Sequence, residues 1–488
     1  MTHSTRTSAL FTDFYELTMA HGYWRNDMNR PAVFDLFFRR QPFDGGFSIL
    51  AGTETMLDAL TSFSFSAEDI DYLASLGLFE PAFLDYLKNF HFSGDIYAMD
   101  EGSVIFPQEP IIRVHAPLIE AQIVEGLLLN HINFQSLIAT KTARIWLAAQ
   151  KGDIMEFGLR RAQGPDGAMS ASRAAFIGGA AGTSNTLAGM RYGIPVRGTM
   201  AHSWIMSFPS EQEAFRTYAA AYPDNSIFLI DTYDTLTSGI KSAITVGGEL
   251  AAHGKNFGVR LDSGDISYLS REVRARLDAA GFPHAQISVS NELTEDIISA
   301  LTAQHVPIDS WGVGTHLVTG GSESSFTGVY KLAARYDAAT DQLVPVMKFS
   351  DNPEKNTNPG IKNVFRLYDD NGMAIADIMA LDGETIAPAT AGHYYHPMID
   401  YREFSCTASR VTPLLKQRLT AGVRTVPRRD DKTHLLESRA TMDRQLDSFD
   451  ASYKRILNPH IYKVSMTKAL KDLKLTFIRE NIAREHVT

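Results

Sequence analysis

One cysteine, Cys406, stands in a chain of 488 residues. That excludes an internal disulfide and any CxxC or Cys/His zinc spacing, and a reducing, cytoplasmic setting is expected. Positive charge is not in excess either: Lys and Arg number 46 against 56 Asp and Glu, a formal net charge of −10. A protein that reads nucleic acid needs a broad basic face, so no nucleic-acid partner is expected. Small anionic substrates stay open, because a local arginine cluster outweighs a mild global charge. Long uninterrupted apolar runs are missing as well. The most apolar stretch, IVEGLLLNHINFQSLIA, is broken by Glu125, Asn130, His131 and Asn133. It reads as a buried helix, and no membrane span is expected. The opening residues, MTHSTRTSALFTDFYELTM, lack the apolar core of a signal peptide.

What the chain does have is a soluble, globular balance of 44% hydrophobic and 21% charged residues. Its length exceeds the size at which one core stops growing, so two or three domains are expected. The boundaries read as 1–150, an N-terminal α/β domain with a connecting helix; 151–335, a barrel; and 336–488, a C-terminal cap of antiparallel strands and helices. The organising stretch is 153–203. Ile154, Met155, Phe157 and Leu159 form an apolar run suited to a buried parallel strand, which ends in Arg160 and Arg161. A helix rich in Ala, Gly and Ser is expected over 170–193. A second strand follows over 195–202, PVRGTMAH, ending at His202.

From there the alternation is regular. Strands SIFLIDTYDT, FGVRLDSGD, AQISVSNEL and IDSWGVGTHLV alternate with helices of suitable length. Such βα units require a parallel sheet with right-handed crossovers. Six clear units in this sequence fall short of the eight of a complete barrel, so the fold class is α/β with an irregular, open α/β barrel. Outside it, residues 11–24 read as a helix capped by Thr12 or Asp13. AVFDLFF reads as a strand, residues 94–118 as strands punctuated by Gly102, Pro107 and Pro110, and residues 428–485 as charged helices.

Each strand has a polar cluster at its carboxyl end, where ligands and catalytic groups sit in such folds. These are Arg160/Arg161, Thr199/His202/Ser203, Asp231/Thr232/Asp234, Arg260/Asp262/Ser263/Asp265, Ser290/Asn291 and Gly312/Gly314/Thr315. One cluster alone reads as a helix cap; six in register do not. Of Asp262 and Asp265, one is expected to cap a helix and the other to hold ribose hydroxyls or Mg²⁺, which favours one or two carboxylates plus phosphate oxygens. Gly312, Gly314 and Thr315, with Gly320 and Gly321, offer backbone amides for a phosphate. Arg160, Arg161 and Arg260 can fork onto carboxylate or pyrophosphate oxygens; surface salt bridging is expected for at most one of them. A lone histidine is more often structural, but His202 at a strand end, with Asp231 and Asp234 on the next strand, reads as a nucleophile oriented by a carboxylate.

The segments TDFYELTMAHGYW, FGLRRAQGPDGA, GTMAHSW, VRLDSGD, VSNEL, GVGTHLVT and NPEKNTNPG, in that order, resemble the nicotinate phosphoribosyltransferase family. The resemblance runs from residue 12 to about 366. It implies transfer of phosphoribose from phosphoribosyl pyrophosphate to nicotinate, giving nicotinate mononucleotide and pyrophosphate in NAD salvage. It also implies coupled ATP hydrolysis through a phosphohistidine at His202, with Mg²⁺. By motif match, Tyr15, Thr199 and Arg260 fall on nicotinate-site positions, Arg160 on a substrate-anion position and Thr315 on the phosphoribosyl-phosphate site. Ser203, Asn291 and Gly314 belong to the same candidate binding set, and His202, Asp262 and Asp265 to the catalytic set. A homodimer is implied, with active sites between subunits and Tyr15 serving the neighbour's site. Alternatives are the same transfer to nicotinamide or quinolinate, a phosphosugar aldolase or isomerase with Lys331 as its one candidate Schiff-base lysine, and a catalytically inert scaffold.

Overall fold

The computed structural model describes residues 7–352 and 355–485. Pro353 and Glu354, within the NPEKNTNPG segment, lie outside the described residues, as do residues 1–6 of the opening segment. The chain forms two compact units. One gathers Met1–Leu137, Ser325–Asp430 and Ala440–Thr488; the other gathers Ile138–Ser324 and Asp431–Arg439. Compactness therefore groups the segments differently from the sequential boundaries 1–150, 151–335 and 336–488. The reason is pairing between distant strands: Gly328–Asp337 runs antiparallel to Pro31–Phe38, with Lys331 opposite Asp35.

The second unit is the α/β barrel expected from the βα rhythm. Its parallel strands are β1 (Asp153–Glu156), β2 (Gly182–Thr183), β3 (Ser226–Leu229), β4 (Phe257–Leu261), β5 (Gln286–Val289) and β6 (Ser310–Val313), in spatial order β3-β4-β5-β6-β1-β2. They make a curled half-barrel. Phe228, Leu229, Val259, Leu261, Ile287, Val289 and Val313 are fully buried, as the apolar strand runs require. Each such side chain contributes on the order of 1.5–3 kcal/mol of transfer free energy. The crossover helices start on side-chain caps. Ser210 accepts from the Glu213 amide, Asp265 from Tyr268 and Thr294 from Ile297. Each satisfies a helix amide that would otherwise lack a partner.

Two expectations are corrected within this unit. The helix expected over 170–193 is two helices, Gly164–Ile177 and Thr186–Tyr192, with β2 between them. Gly179, at φ +111, makes a turn that a side chain resists, and Asn185 caps the second helix. The strand expected over 195–202 is reduced to a single bridge from Val196 to Thr183. Gly182 permits that approach, since a Cβ there would lie 2.6 Å from the Pro195 carbonyl oxygen. Beyond Val196 the backbone leaves the sheet, and His202 opens a short helix, His202–Met206.

Besides two two-stranded sheets (Thr7–Ser8 with Phe63–Ser64, and Ser48–Ile49 with Val104–Ile105), the first unit carries two large ones. One is antiparallel, in the order Gln342–Pro345, Gly328–Asp337, Pro31–Phe38, Ile112–Pro117, Asp95–Ala98, Lys416–Thr420, Val423–Arg424. The other is mixed, because Lys463–Met466 runs parallel to Ala374–Leu381 while its other pairings are antiparallel. Within it Arg366 and Asp377 face each other across two strands and make a fully buried two-point pair, 2.8 and 2.6 Å. The helix read over 11–24 spans Phe14–Arg25, but neither Thr12 nor Asp13 caps it through its side chain. Thr12 instead donates to the Glu16 carboxylate, and its hydroxyl lies 2.9 Å from the Ile123 carbonyl oxygen.

Candidate active site

In the barrel unit the parallel register aligns the carboxyl ends of neighbouring strands: Leu229 lies beside Arg260, Leu261 beside Val289, and Val313 beside Glu156. Residues just past those positions therefore meet. His202 Nδ1 lies 3.1 Å from the Thr232 hydroxyl, and its Nε2 lies 3.7 Å from Asp262 Oδ2. The carboxylate beside the imidazole thus comes from the DSGD loop rather than from Asp231 or Asp234. Asp234 is occupied as a cap, accepting from the Leu236 and Thr237 amides at 3.0 and 2.7 Å. Asp231 accepts the Asp262 amide at 3.0 Å and the Ser263 hydroxyl, so it fixes the loop that carries Asp262. Ser290, at the end of β5, donates to the other oxygen of Asp262. Four strand ends or crossovers thus converge on one carboxylate and one imidazole.

Arg260 is the cation of this cluster. Its guanidinium donates to the Thr199 hydroxyl, while its Nε is buried without a hydrogen-bond partner. Burial holds its pKa below the ordinary guanidinium value, against the opposing pull of Asp262 and Asp231; Arg160 adds to the lowering. A guanidinium stays charged in a folded protein. A desolvated cation with a spare donor is a receptor for a small anion.

The remaining candidates separate. Asp265 is the helix cap of the DSGD pair, bound to the Tyr268 amide at 3.0 Å. Thr315 meets Glu292 at 3.3 Å, and Glu292 also faces His316 at 3.4 Å. Gly314 precedes the turn Thr315–Val318, and a Cβ there would approach the Phe157 carbonyl oxygen to 3.2 Å. Asn291 has φ +124, an unusual backbone for a residue with a side chain, of the kind that clusters at functional sites. Ser203 follows His202 in the first turn of its helix, and Arg160 is exposed in the short turn Leu159–Arg161. Tyr15 belongs to the other compact unit. There burial, then Glu125, Glu16 and Asp13, push its phenol pKa up.

Two participants escape a reading of the sequence. Glu292 hides in the VSNEL turn, where an acid passes for a solvated loop residue. Glu156 sits in an apolar strand run, yet has no exposed surface. The only sequence signal was its spacing: it stands two residues after Ile154, hence on the same strand face.

Comparison with known proteins decides the family. The nicotinate phosphoribosyltransferase family profile matches residues 153–374, its N-terminal domain profile residues 10–133 and its C-terminal domain profile residues 361–474. The chain belongs to the nicotinate phosphoribosyltransferase family. The nicotinate phosphoribosyltransferase of Bacillus subtilis is 39% identical over 474 residues, 97% of this chain and 95% of the relative. The human enzyme of that name is 34% identical, with 95% of each chain covered. The crystal structure of human nicotinic acid phosphoribosyltransferase superposes with a TM-score of 0.82 at 31% identity, covering 95% of this chain and 99% of that one. No helix among the described residues is long and apolar enough to cross a membrane.

The family implies Mg²⁺. Among the described residues no group of three or more His, Cys, Asp or Glu side chains forms a protein-only metal cage. A Mg²⁺ shared with a phosphate needs only one or two carboxylates. Asp231 Oδ1 is buried without a hydrogen-bond partner beside the Asp262 backbone, so this pair of acids fits such an ion.

Proposed function

We propose that this chain transfers phosphoribose from phosphoribosyl pyrophosphate to nicotinate, releasing pyrophosphate in NAD salvage, and that ATP hydrolysis is coupled to the transfer. The observation that carries the reading is the convergence of Arg260, Thr199, Asp262 and His202 at one mouth of the half-barrel. Departure of pyrophosphate from the anomeric carbon leaves a cationic sugar that the pyridine nitrogen attacks. That chemistry needs anion clamps and a carboxylate near the ribose, and no strong base. Arg260, with its unpartnered Nε, is the clamp for the nicotinate carboxylate, and Thr199 orients it. Arg160 takes substrate phosphate, and Thr315 and the Gly314 backbone take the 5′-phosphate. Ser203 and Asn291 line the same mouth. Asp262 faces the ribose; Asp231 and Asp262 would hold Mg²⁺, which supplies charge neutralisation to the leaving pyrophosphate.

His202 is the residue phosphorylated by ATP in this reading. Asp262 favours the proton on Nε2, leaving the Nδ1 lone pair to attack the γ-phosphorus as ADP departs. A phosphorylated imidazole brings new charge and acceptors beside Asp262 and shifts neighbouring cations, a physical route from ATP to tighter substrate binding. A cytoplasmic homodimer completes the proposal, in which Tyr15 serves the partner's site.

A pyrophosphate-release assay with nicotinate, nicotinamide and quinolinate, each with and without ATP, tests the reading. Nicotinate is expected to be preferred, with ATP lowering the KM for phosphoribosyl pyrophosphate. His202→Ala should abolish ATP hydrolysis and the ATP effect on KM while leaving slow, uncoupled transfer. Undiminished ATP coupling in that variant would refute the phosphohistidine.

A further inference from the structure

Glu156 is the last residue of β1, has no exposed surface, and lies four residues before Arg160. Its carboxylate meets three neutral donors. One oxygen accepts the Gly158 amide. The other accepts the Ser172 hydroxyl at 2.9 Å and the Thr183 hydroxyl. Those donors belong to the turn that leads to Arg160, to the helix Gly164–Ile177 and to β2. A buried carboxylate is costly unless its lone pairs are filled, and an apolar residue would suit a strand interior better. An acid here therefore asks for an explanation beyond packing.

The donors supply it. Gly158 is where the chain turns out of the sheet towards Leu159–Arg161, and a Cβ on it would lie 2.1 Å from Val318 Cγ1. The turn has no room to drift on that side, and the Glu156 oxygen on its amide fixes the other. Thr183 in turn bonds the strand-like segment before His202 through backbone contacts to Pro195 and Arg197, 3.0 and 2.9 Å. We propose that Glu156 is a positioning residue: it sets the direction in which Arg160 leaves the sheet, acting by reach and not by charge. This rests on the reading of Arg160 as a substrate-anion group.

The chemistry of the side chain allows a sharp test. In Glu156→Gln the amide oxygen still accepts from Gly158, and the amide nitrogen can donate to the Ser172 and Thr183 hydroxyls once these rotate. In Glu156→Asp the charge remains, but the carboxylate is drawn back by one methylene. We expect Glu156→Asp to raise the KM for phosphoribosyl pyrophosphate about tenfold or more, with kcat changed less than about threefold, while Glu156→Gln stays within about threefold of the parent in both. Calorimetric binding of inorganic pyrophosphate should weaken in parallel, and both variants should keep a cooperative melt. In an Arg160→Ala background, Glu156→Asp should have no further effect, since both changes act through one group. Damage by Gln equal to that by Asp, an Asp effect that persists without Arg160, or loss of folding in both variants would each overturn the proposal. A parent protein that binds pyrophosphate but transfers nothing to nicotinate would sink the functional reading alone, and the binding series would still decide the role of Glu156.

Discussion

Glu16, the residue after Tyr15, has no exposed surface, and its carboxyl accepts a hydrogen bond from Thr12. Burial pushes its pKa up to about 8; the Thr12 hydroxyl opposes the shift, and Glu125 and Asp13 reinforce it. The folded protein therefore keeps this group protonated at neutral pH, whereas an unfolded chain ionises it near 4.5. Between those values unfolding releases a proton, so stability falls as pH rises through that window and is untouched by this group at more acid pH. Glu16→Gln copies the protonated form and removes the dependence. We expect the variant to match the parent near pH 4 and to exceed it on the order of 2–3 kcal/mol at pH 7, read by urea unfolding at both pH values. Equal stabilities at pH 7 would mean that Glu16 is ionised in the folded state. The neighbouring phenol of Tyr15 gains from the same neutrality, because an ionised Glu16 would stand beside a group proposed to meet an anionic substrate.

At the scale of elements, the site depends on how closely loops approach. The turn after β1 lies against the short helix Thr315–Val318, and Gly158 is the contact: a Cβ there would overlap Val318 at 2.1 and 2.6 Å. Gly158→Ala is expected to cost about 1–3 kcal/mol through overpacking and to lower transfer activity by moving the Arg160 turn. Adding Val318→Ala opens the space, so the double variant should regain stability and part of the activity, as seen by thermal melts and pyrophosphate release. Elements of this kind divide into those a sequence discloses and those it hides. The β3 to β5 strands were legible because each is a short buried run followed by a capped helix, and β6 because its buried run ends in a glycine-rich turn. β2 was not, since Gly182 and Thr183 form a two-residue strand inside a small-residue segment that looks helical. Arg260 and Asp262 were legible as polar groups at a strand end, and His202 stood out although the strand expected before it is a single bridge. Their pairing was not, because which carboxylate faces His202 depends on the turn after β4, and the sequence offered Asp231 and Asp234 equally. Glu156 was hidden for a simpler reason: its spacing from Ile154 puts it on the buried face, but an acid on that face reads as an exception until its donors are seen.

At the scale of the whole molecule, the net charge of −10 would repel an anionic substrate were Arg160 and Arg260 not gathered at one mouth. The barrel unit also exposes the apolar side chains of Leu187, Met190 and Val196. In the first unit Phe14 and Tyr15 are about half exposed, at 49% and 47%, on the helix that the family resemblance assigns to the neighbour's site. A composite site makes a quantitative demand on mixed oligomers. Tyr15→Ala and Arg260→Ala each remove one half of every site in a homodimer, so either variant alone should be nearly inactive. Coexpressed at equal levels, half of the dimers are hybrids; in each hybrid both lesions fall in one site and the other is intact, so about a quarter of the parent activity should return. If Tyr15 instead serves its own chain, every site in a hybrid carries one lesion and nothing returns. Recovery near a quarter, measured on the unseparated coexpressed mixture by nicotinate-dependent pyrophosphate release, therefore separates a shared site from a private one, and its absence would confine Tyr15 to its own subunit.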